Sequence, residues 1–325
     1  MNVYITRNIP TDAINVLKEY GLEVTVNTEN KKLTQQELID ACQKIDLLLN
    51  VGHADLDKHF LESCKHLKGI ALASVGYDHV DLETATALGI PVSNTPNVLS
   101  GATADVAFLL MLSVSRKAFY RANEVLEGKW KDFEFMQDLG VELYGKTLGI
   151  YGLGRIGLEL AKKAKAAYNM NINYYNRSRN PLAEQLVEAK YVNFDDLLTQ
   201  SDVISVHSNL SPETEYRFNK DAFQRMKKSA IFINTARGKV HQEQDLIEAL
   251  RQGEIWGAGL DVTDPEPMSP NNPLLQMPNV CVLPHIGSAT IETRTQMAIM
   301  AANNLIAAKY GNKMMQIVNK EVYSY

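Results

Sequence analysis

The 325-residue sequence contains few cysteines and lacks the features that mark membrane-spanning or exported proteins. Cys42, Cys64 and Cys281 are too few and too scattered for a disulfide framework or a zinc site, so no metal is expected. A continuous run of about 20 apolar residues, as a membrane-spanning helix needs, does not occur. An apolar leader before the first strand-like segment is also lacking. These absences predict a cytoplasmic protein with no membrane partner.

An excess of basic residues is missing too. The sequence has 33 Lys and Arg against 38 Asp and Glu, a net charge of −5, whereas nucleic-acid binders usually carry a basic stripe. We therefore expect no nucleic-acid partner, and any anionic ligand should be bound by a few individual arginines. Hydrophobic residues make up 45% and charged residues 22%, which is typical of a folded globular protein. The length suits two domains of roughly 150 residues each.

Short apolar runs alternate with helical patterns along the whole chain, which predicts βαβ units and parallel sheets, an α/β fold. In the N-terminal part, strands are predicted at residues 3–5, 24–26, 47–49 and 69–73, and helices at 12–20, 34–43 and 57–64. Turn chemistry between Pro91 and Pro96 interrupts this series, and one long helix is predicted over residues 102–126. A second series follows, with strands at 147–152, 172–175, 203–207, 230–234, 258–261 and 280–283 and helices ending near 167 and spanning 242–251 and 289–309.

A glycine-rich turn, Gly152-Leu153-Gly154-Arg155-Ile156-Gly157, lies between a predicted strand and a predicted helix. Glycines at this spacing permit a tight turn and let the backbone approach a pyrophosphate at the helix N-terminus, where N–H groups favour an anion. The alternative is a tight turn that binds nothing. The position between strand and helix favours dinucleotide binding.

The strand after this turn ends in Asn176, Arg177, Ser178 and Arg179. Dinucleotide folds that select NAD usually place an Asp or Glu here to bind the ribose 2′-hydroxyl. In this chain no carboxylate occupies the place, and two guanidinium groups could pair with a 2′-phosphate. We therefore predict that NADP(H) is preferred and that NAD(H) remains possible. The alternative is that both arginines are solvated loop charges.

Three chemically active side chains follow three predicted strands: Arg237, Glu266 and His285. Parallel strands present their carboxyl ends at one edge of a sheet, where open α/β folds bind ligands. Arg can grip a carboxylate with two hydrogen bonds, and His can exchange the proton that accompanies hydride transfer. Glu hydrogen-bonded to that His would fix its tautomer. Each residue alone could be structural, but their joint placement predicts a catalytic group.

Six motifs, in this order, resemble the D-isomer-specific 2-hydroxyacid dehydrogenases over almost the whole chain. They are ASVGYDHVDL (73–82), NTPNVLSGATADVAFLLML (94–112), GKTLGIYGLGRIG (145–157), INTARGKV (233–240), GAGLDVTDPEP (257–267) and LPHIGSAT (283–290). The DVT-x-PEP and NRSR segments look most like the glyoxylate/hydroxypyruvate reductase branch. The resemblance implies a Rossmann cofactor domain, residues 100–286, inserted in a flavodoxin-like substrate domain formed by residues 1–99 and 287–325.

The resemblance also implies roles for individual residues. His285 would be the proton donor, Glu266 its acidic partner and Arg237 the substrate-binding arginine, while the backbone of Val75 and Gly76 would bind the substrate carboxylate. The family often has Pro where this chain has Asn209, in the loop that the resemblance places over the cofactor. The implied cofactor-binding residues are Thr103, Gly152, Gly154, Arg155, Ile156, Gly157, Asn176, Arg177, Ser178, Arg179, Asn209, Thr214, Thr235, Ala236, Asp261, His285 and Gly287.

The expected reaction is reduction of glyoxylate or hydroxypyruvate to the D-2-hydroxy acid. Reduction of 2-ketogluconate or another 2-oxo acid is an alternative within the same machinery. A phosphorylated substrate would need a further cation near residues 74–79, which offer only His79. An alternative of another class is a dinucleotide-sensing corepressor or scaffold that keeps the fold but acts by binding partners.

The segment 119–143 is rich in large apolar residues, including Trp130, Phe133 and Phe135. Members of the family dimerise through this part of the cofactor domain, so the resemblance implies a homodimer. The alternative is packing within one chain.

Overall fold

A computed structural model describes residues 1–29, 31–52 and 54–324. The chain divides into two compact units, one formed by Met1–Leu99 with Ser288–Tyr325 and the other by Ser100–Gly287. The second border lies one residue beyond the one expected from the motifs. Both units are α/β, with parallel strands joined by helices, as the alternating pattern predicted.

The first unit contains a five-stranded parallel sheet. Its strands are β1 (Asn2–Ile5), β2 (Glu23–Val26), β3 (Leu47–Asn50), β4 (Gly69–Leu72) and β5 (Val92–Ser93). They run in the order β2-β1-β3-β4-β5, the flavodoxin-like arrangement. Its helices are α1 (Thr11–Glu19), α2 (Gln35–Cys42), α3 (Lys58–Ser63), α4 (Leu82–Ala87) and, from the end of the chain, α12 (Ile291–Lys309).

Side chains at the strand and helix ends explain where these elements begin. Every residue of β3 and β4 is buried, which accounts for their continuous apolar sequences. Thr34 caps α2 by a reciprocal pair of hydrogen bonds with Glu37, and Asp57 and Asp81 accept from backbone N–H groups at the starts of α3 and α4. The alanine-rich face of α12 packs against β3 and β4.

The second unit contains a seven-stranded parallel sheet. Its strands are β6 (Thr147–Tyr151), β7 (Asn171–Tyr175), β8 (Lys190–Tyr191), β9 (Val203–Val206), β10 (Ile231–Asn234), β11 (Gly257–Leu260) and β12 (Val280–Val282). The order β12-β11-β10-β9-β6-β7-β8 is that of a Rossmann fold, and it reverses between β6 and β9. Its helices are α5 (Ser100–Ser115), α6 (Ala118–Leu126), α7 (Arg155–Tyr168), α8 (Pro181–Val187), α9 (Phe194–Gln200), α10 (Lys220–Arg225) and α11 (Glu243–Gln252).

Two local predictions were wrong. The single helix predicted over residues 102–126 is broken at Lys117, whose φ of 53° is left-handed, so that α5 and α6 are separate helices. The Lys117 ammonium group pairs with Asp138 and lies 5.5 Å from the centre of the Trp256 ring, contacts that a continuous helix would not direct in the same way. The turn segment between Pro91 and Pro96 contains β5, which pairs with β4.

Among the residues that the structure describes, no helix combines the length and apolar character needed to cross a membrane. The three cysteines are buried and unbridged. Within residues 1–29, 31–52 and 54–324, no group of three or more His, Cys, Asp or Glu side chains is arranged to hold a metal ion.

Candidate active site

The three chemically active side chains lie after three neighbouring strands of the second sheet. Arg237 follows β10, Glu266 follows β11 and His285 follows β12, and these strands are adjacent in the order β12-β11-β10. Because the strands are parallel, all three loops leave the same edge. The strand order therefore brings the three loops to one edge of the sheet, as predicted.

The glycine-rich turn occupies the point where the strand order reverses. Gly152 has a φ of 99°, and a Cβ there would lie 2.7 Å from the Ser208 backbone nitrogen, so the turn and the close approach of the β9 loop both require glycine. A Cβ at Gly154 would meet no described heavy atom within 4 Å. Gly154 is the N-cap of α7, so this open space adjoins the unpaired N–H groups of a helix N-terminus. Those features fit the pyrophosphate of a dinucleotide.

Asn176 has a structural role that the sequence did not show. Its Oδ1 accepts a hydrogen bond from the Leu153 N–H at 2.7 Å, and the Asn180 side chain donates to the Leu153 carbonyl at 2.9 Å. The end of β7 and the start of α8 are thereby tied to the glycine turn. The ribose side of the predicted cofactor site is thus fixed relative to its pyrophosphate side.

A carboxylate does lie beside the predicted phosphate-binding arginines, contrary to the expectation from the sequence. Arg179 donates two hydrogen bonds to Glu184 on α8, from Nε to Oε1 at 3.0 Å and from Nη2 to Oε2 at 2.6 Å. Glu184 also accepts from the Tyr174 hydroxyl, and these bonds, those of Arg179 foremost, hold its pKa below the usual range. Arg179 is therefore already paired, which leaves Arg177 as the stronger candidate for a 2′-phosphate.

His285 and Glu266 form a direct pair. The His285 Nδ1 lies 2.6 Å from the Glu266 Oε1, and about a third of each side chain is exposed. With Nδ1–H donated to the carboxylate, Nε2 is the nitrogen that can face a substrate. His285 has a φ of 55°, a left-handed conformation that is costly for a residue with a side chain and that is concentrated at functional sites.

The loop that carries His285 is held by a buried carboxylate. Asp261 accepts from the Ile286 N–H through Oδ1 and from the Gly287 N–H through Oδ2, both at 2.8 Å. Burial raises the pKa of Asp261, although these two backbone bonds oppose the rise. Thr103 donates to the Gly287 carbonyl at 3.1 Å. Asp261, Thr103 and Gly287, all predicted to bind the cofactor, thus form one hydrogen-bonded group.

The loop that carries Glu266 contains no helix or strand and depends on individual contacts. Thr263 donates to the Pro265 carbonyl at 2.8 Å, and the Tyr216 hydroxyl donates to the Asp264 carboxylate at 3.2 Å. A Cβ at Gly238 would lie 2.1 Å from the Thr263 carbonyl oxygen, so the loop after β10 can touch the loop after β11 only because residue 238 is glycine. Tyr216 and Gly238 were missed from the sequence.

Asn234 and His241 fix the loop that carries Arg237. Asn234 accepts from the Ala236 N–H at 3.0 Å and donates to the Arg237 carbonyl at 2.8 Å, while its amide also contacts His241 Nδ1 at 3.1 Å. The Arg237 guanidinium donates to the Ala236 carbonyl through Nη1. Burial lowers the pKa of His241 to about 4, so its imidazole is neutral near neutral pH. Only the INTARG motif itself was visible in the sequence.

Thr235 is joined to a second histidine, the partly buried His207. Its hydroxyl lies 3.4 Å from His207 Nδ1, and the other ring nitrogen lies 2.8 Å from the Ser205 hydroxyl. Burial lowers the pKa of His207 to about 3. The adjoining loop is closed by Thr214, which donates to the Asn209 carbonyl and accepts from the Ser211 N–H, both at 2.8 Å. The cofactor roles of Asn209, Thr214, Thr235 and Ala236 remain predictions.

The predicted carboxylate-binding loop of the first unit follows β4. The Ser74, Val75 and Gly76 carbonyls accept hydrogen bonds from Thr95 N–H, Asn94 Nδ2 and Ser74 Oγ respectively. These bonds fix the loop without using the Val75 and Gly76 N–H groups, which are the donors that a carboxylate would need. The role of this loop remains a prediction.

A Rossmann sheet with a dinucleotide turn and a His–Glu pair at its carboxyl edge defines a nicotinamide-dependent oxidoreductase. Residues 108–287 match the family described as D-isomer specific 2-hydroxyacid dehydrogenase, NAD binding domain. A glyoxylate reductase from Thermococcus litoralis is 44% identical over 324 residues, 98% of this chain and 97% of that protein.

Solved structures agree with these matches. The crystal structure of a glyoxylate reductase from Paecilomyes thermophila is 31% identical, with a TM-score of 0.87 and 99% of both chains covered. An NADPH-dependent glyoxylate/hydroxypyruvate reductase from Sinorhizobium meliloti, in complex with NADP and malonate, is 29% identical, with a TM-score of 0.84 and 99% and 97% of the two chains covered. The chain belongs to the D-isomer-specific 2-hydroxyacid dehydrogenase family, as the six motifs predicted.

Proposed function

We propose that this enzyme reduces glyoxylate or hydroxypyruvate to the corresponding 2-hydroxy acid, with the D configuration where the product is chiral, and that it prefers NADPH to NADH. The observation that carries the proposal is the pairing of His285 Nδ1 with Glu266 Oε1 at the same sheet edge as the glycine turn. Support for the substrate comes from the glyoxylate reductase of Thermococcus litoralis, similar over nearly its whole length.

When bound, a nicotinamide cofactor would supply the hydride that the carbonyl carbon of the substrate receives, and the glycine-rich turn would hold its pyrophosphate. Protonated His285 donates its Nε2 proton to the carbonyl oxygen as that oxygen gains charge. Glu266 keeps the Nδ1 proton in place and stabilises the imidazolium before the transfer. Arg237 binds the substrate carboxylate and so holds the carbonyl in the orientation that the transfer requires.

The preference for NADPH rests on Arg177, with support from the relative solved with NADP. We propose that Arg177 pairs with the 2′-phosphate. Arg179 is already bound to Glu184 and would contribute only if that pair opened or if the phosphate approached from its other side. Arg177→Ala should therefore lower kcat/KM with NADPH more than Arg179→Ala does. A hydrogen bond to a charged group contributes roughly 1.5–3 kcal/mol, so Arg177→Ala should lower kcat/KM with NADPH about 10- to 100-fold.

Initial rates with glyoxylate, hydroxypyruvate and 2-ketogluconate, each with NADPH and NADH, test the proposal. Turnover with the first two substrates and a higher kcat/KM with NADPH is expected, and a clear preference for NADH would contradict the cofactor assignment. Preference for 2-ketogluconate would move the enzyme to that substrate, and dinucleotide binding without turnover would favour a sensing protein. His285→Ala should lower kcat by roughly 10²–10⁴, the usual contribution of a general acid, and His59→Ala on an exposed part of α3 is the control.

We also propose that the enzyme is a homodimer assembled through the segment 126–139 of the second unit. Leu126, Trp130, Phe133 and Phe135 are each between 68% and 84% exposed, an unusual amount of large apolar surface for a monomer. Ion pairs from Lys117 and Arg121 to Asp138 hold the end of this segment against α6. Sedimentation should give twice the chain mass, and Phe133→Asp with Phe135→Asp should give the monomer. A monomeric wild type would refute the assignment.

A further inference from the structure

We propose that His241 is a positioning residue for Arg237, acting through the Asn234 side chain. This inference rests on the proposed function, because it assumes that Arg237 binds the carboxylate of the substrate. His241 contributes no atom to the substrate in this scheme. Its imidazole fixes one amide group, and that amide fixes the backbone from which the guanidinium projects.

The Asn234 amide is fully committed at the end of β10. Its Oδ1 accepts from the Ala236 N–H, and its Nδ2 has two hydrogens, which reach the Arg237 carbonyl and His241 Nδ1. If the oxygen and nitrogen of the amide were exchanged, Nδ2 would face the Ala236 N–H and Oδ1 would face the Arg237 carbonyl, which are both unfavourable pairs. These two backbone contacts therefore determine the orientation of the amide. Asn234 is completely buried, and an unmet hydrogen bond there would not be replaced easily by bulk water.

The orientation of Asn234 determines which His241 nitrogen carries the proton. Because Nδ2 is a donor, Nδ1 of the imidazole must accept, and the ring proton lies on Nε2. The ring is completely buried, with its centroid 5.6 Å from that of Phe232. Protonation at Nδ1 would place two donors against each other, and the depressed pKa of the buried ring agrees with a neutral acceptor.

The same short stretch of backbone is held from both sides. The Arg237 carbonyl accepts from Asn234 and also from the Val240 N–H at 3.2 Å, while the His241 N–H donates to the Gly238 carbonyl at 3.1 Å. The His241 ring therefore contacts Asn234 at the end of β10, the strand that precedes the turn on which His241 lies. If its acceptor is lost, one Asn234 hydrogen loses its partner and the amide can rotate away from Ala236 and Arg237.

A displaced Arg237 should weaken binding of the 2-oxo acid more than binding of the dinucleotide. A shift of about 1 Å in a substrate-positioning group can cost up to roughly 100-fold in rate. The change here is indirect, so we expect about a tenfold rise in the KM for glyoxylate, with the KM for NADPH changed by less than about twofold. If His241 only filled space, its substitution would lower the free energy of unfolding without raising the KM for glyoxylate more than the KM for NADPH.

Three substitutions at His241 distinguish the effect of losing the hydrogen-bond acceptor from the effect of changing the side-chain volume. His241→Asn keeps an acceptor near the position of Nδ1, His241→Gln moves the amide to the position of Nε2, and His241→Leu removes both. The contrast between Asn and Gln decides the question even if the Leu variant does not fold. Ile247→Val, a buried substitution on α11, is the control for a general loss of stability.

The expected result is a glyoxylate KM near that of the wild type for His241→Asn and the Ile247 control, but about tenfold higher for His241→Gln. Hydrogen exchange of the free protein gives a readout independent of turnover. The Ala236 amide should exchange faster in His241→Gln than in His241→Asn. Equal KM values and equal exchange in the Asn and Gln variants would overturn the inference. A wild type that reduces no 2-oxo acid would instead overturn the proposed function.

Discussion

Lowering the pH should destabilise the second unit through two histidines, the partly buried His207 and the completely buried His241. Burial lowers their pKa values to about 3 and about 4, whereas an imidazole in the unfolded chain titrates near 6.5. A group with a depressed folded pKa contributes its full stability above the unfolded value. That contribution is lost as the pH falls from about 6.5 toward the folded pKa, because only the unfolded state takes up the proton.

The size of the effect follows from these pKa values. At about pH 5, protonation of the unfolded state favours unfolding by about 2 kcal/mol for each histidine, or about 4 kcal/mol for both. Carboxyl groups of the same unit titrate in both directions. Burial raises the pKa of Glu243 and of Asp261, which opposes the loss of stability on acidification. Hydrogen bonds lower the pKa of four others, which adds to the loss: Glu142, Glu184, Glu188 and Glu213. Variants are therefore needed to isolate the histidine contribution.

Urea unfolding followed by tryptophan fluorescence provides the measurement. Both tryptophans, Trp130 and Trp256, lie in the second unit, so their emission reports on the unit that contains the two histidines. The free energies of unfolding of wild type, His207→Asn and His241→Asn would be compared at about pH 8 and about pH 5. Each variant should lose about 2 kcal/mol less than the wild type over this interval. Parallel losses in all three proteins would refute the reasoning, since they would show that neither histidine resists protonation in the folded state.

Three substitutions test the loop that carries Glu266, the proposed acidic partner of His285. Glu266→Gln should lower kcat about 10- to 100-fold, because a hydrogen bond to a charged group contributes roughly 1.5–3 kcal/mol. An unchanged kcat would argue against the pair. Tyr216→Phe removes the bond to Asp264 and should lower kcat about 3- to 10-fold at unchanged stability, with Tyr20→Phe as the exposed control. Gly238→Ala would place a Cβ 2.1 Å from the Thr263 carbonyl and should cost at least about 1–3 kcal/mol in a urea titration; wild-type stability would show that the loops are not in close contact.

Ten of the twelve strands that the structure describes were predicted to within one residue at either end, because a strand buried on both faces is mostly apolar. β3, β4 and β9 are completely buried, and their predicted ends lie within one residue of the observed ends. The two-residue strands β5 and β8 were missed, since two residues carry no periodic pattern. Strand ends in turn located the chemically active loops. The break between α5 and α6 was missed because the helical pattern continues through Lys117, and its contacts with Asp138 and Trp256 depend on tertiary structure.

The partners of the site residues could not be read from the sequence for the same reason. Tyr216 and Asp264 are 48 positions apart, and no local pattern connects them. Glu184 is only five residues after Arg179, but it lies on a helix whose direction relative to β7 depends on packing. The motifs indicate candidate catalytic residues. Residues that hold those motifs in place have no local sequence pattern of their own.

The site combines exposed chemical groups with buried polar groups beneath them. Asn234 at the end of β10 holds the Arg237 loop, and Asp261, just beyond β11, holds the loop that follows the neighbouring strand β12 and carries His285. Asn234 and Asp261 are almost completely buried, whereas His285 and Glu266 are about one-third exposed. Substituting an exposed group should therefore change turnover at little cost in stability, because water can solvate what remains. Substituting a buried group should lower both together, because it leaves backbone donors unpaired in the interior as well as releasing the loop. The two classes of residue in this site are therefore distinguishable by comparing kcat with the free energy of unfolding in the same variants.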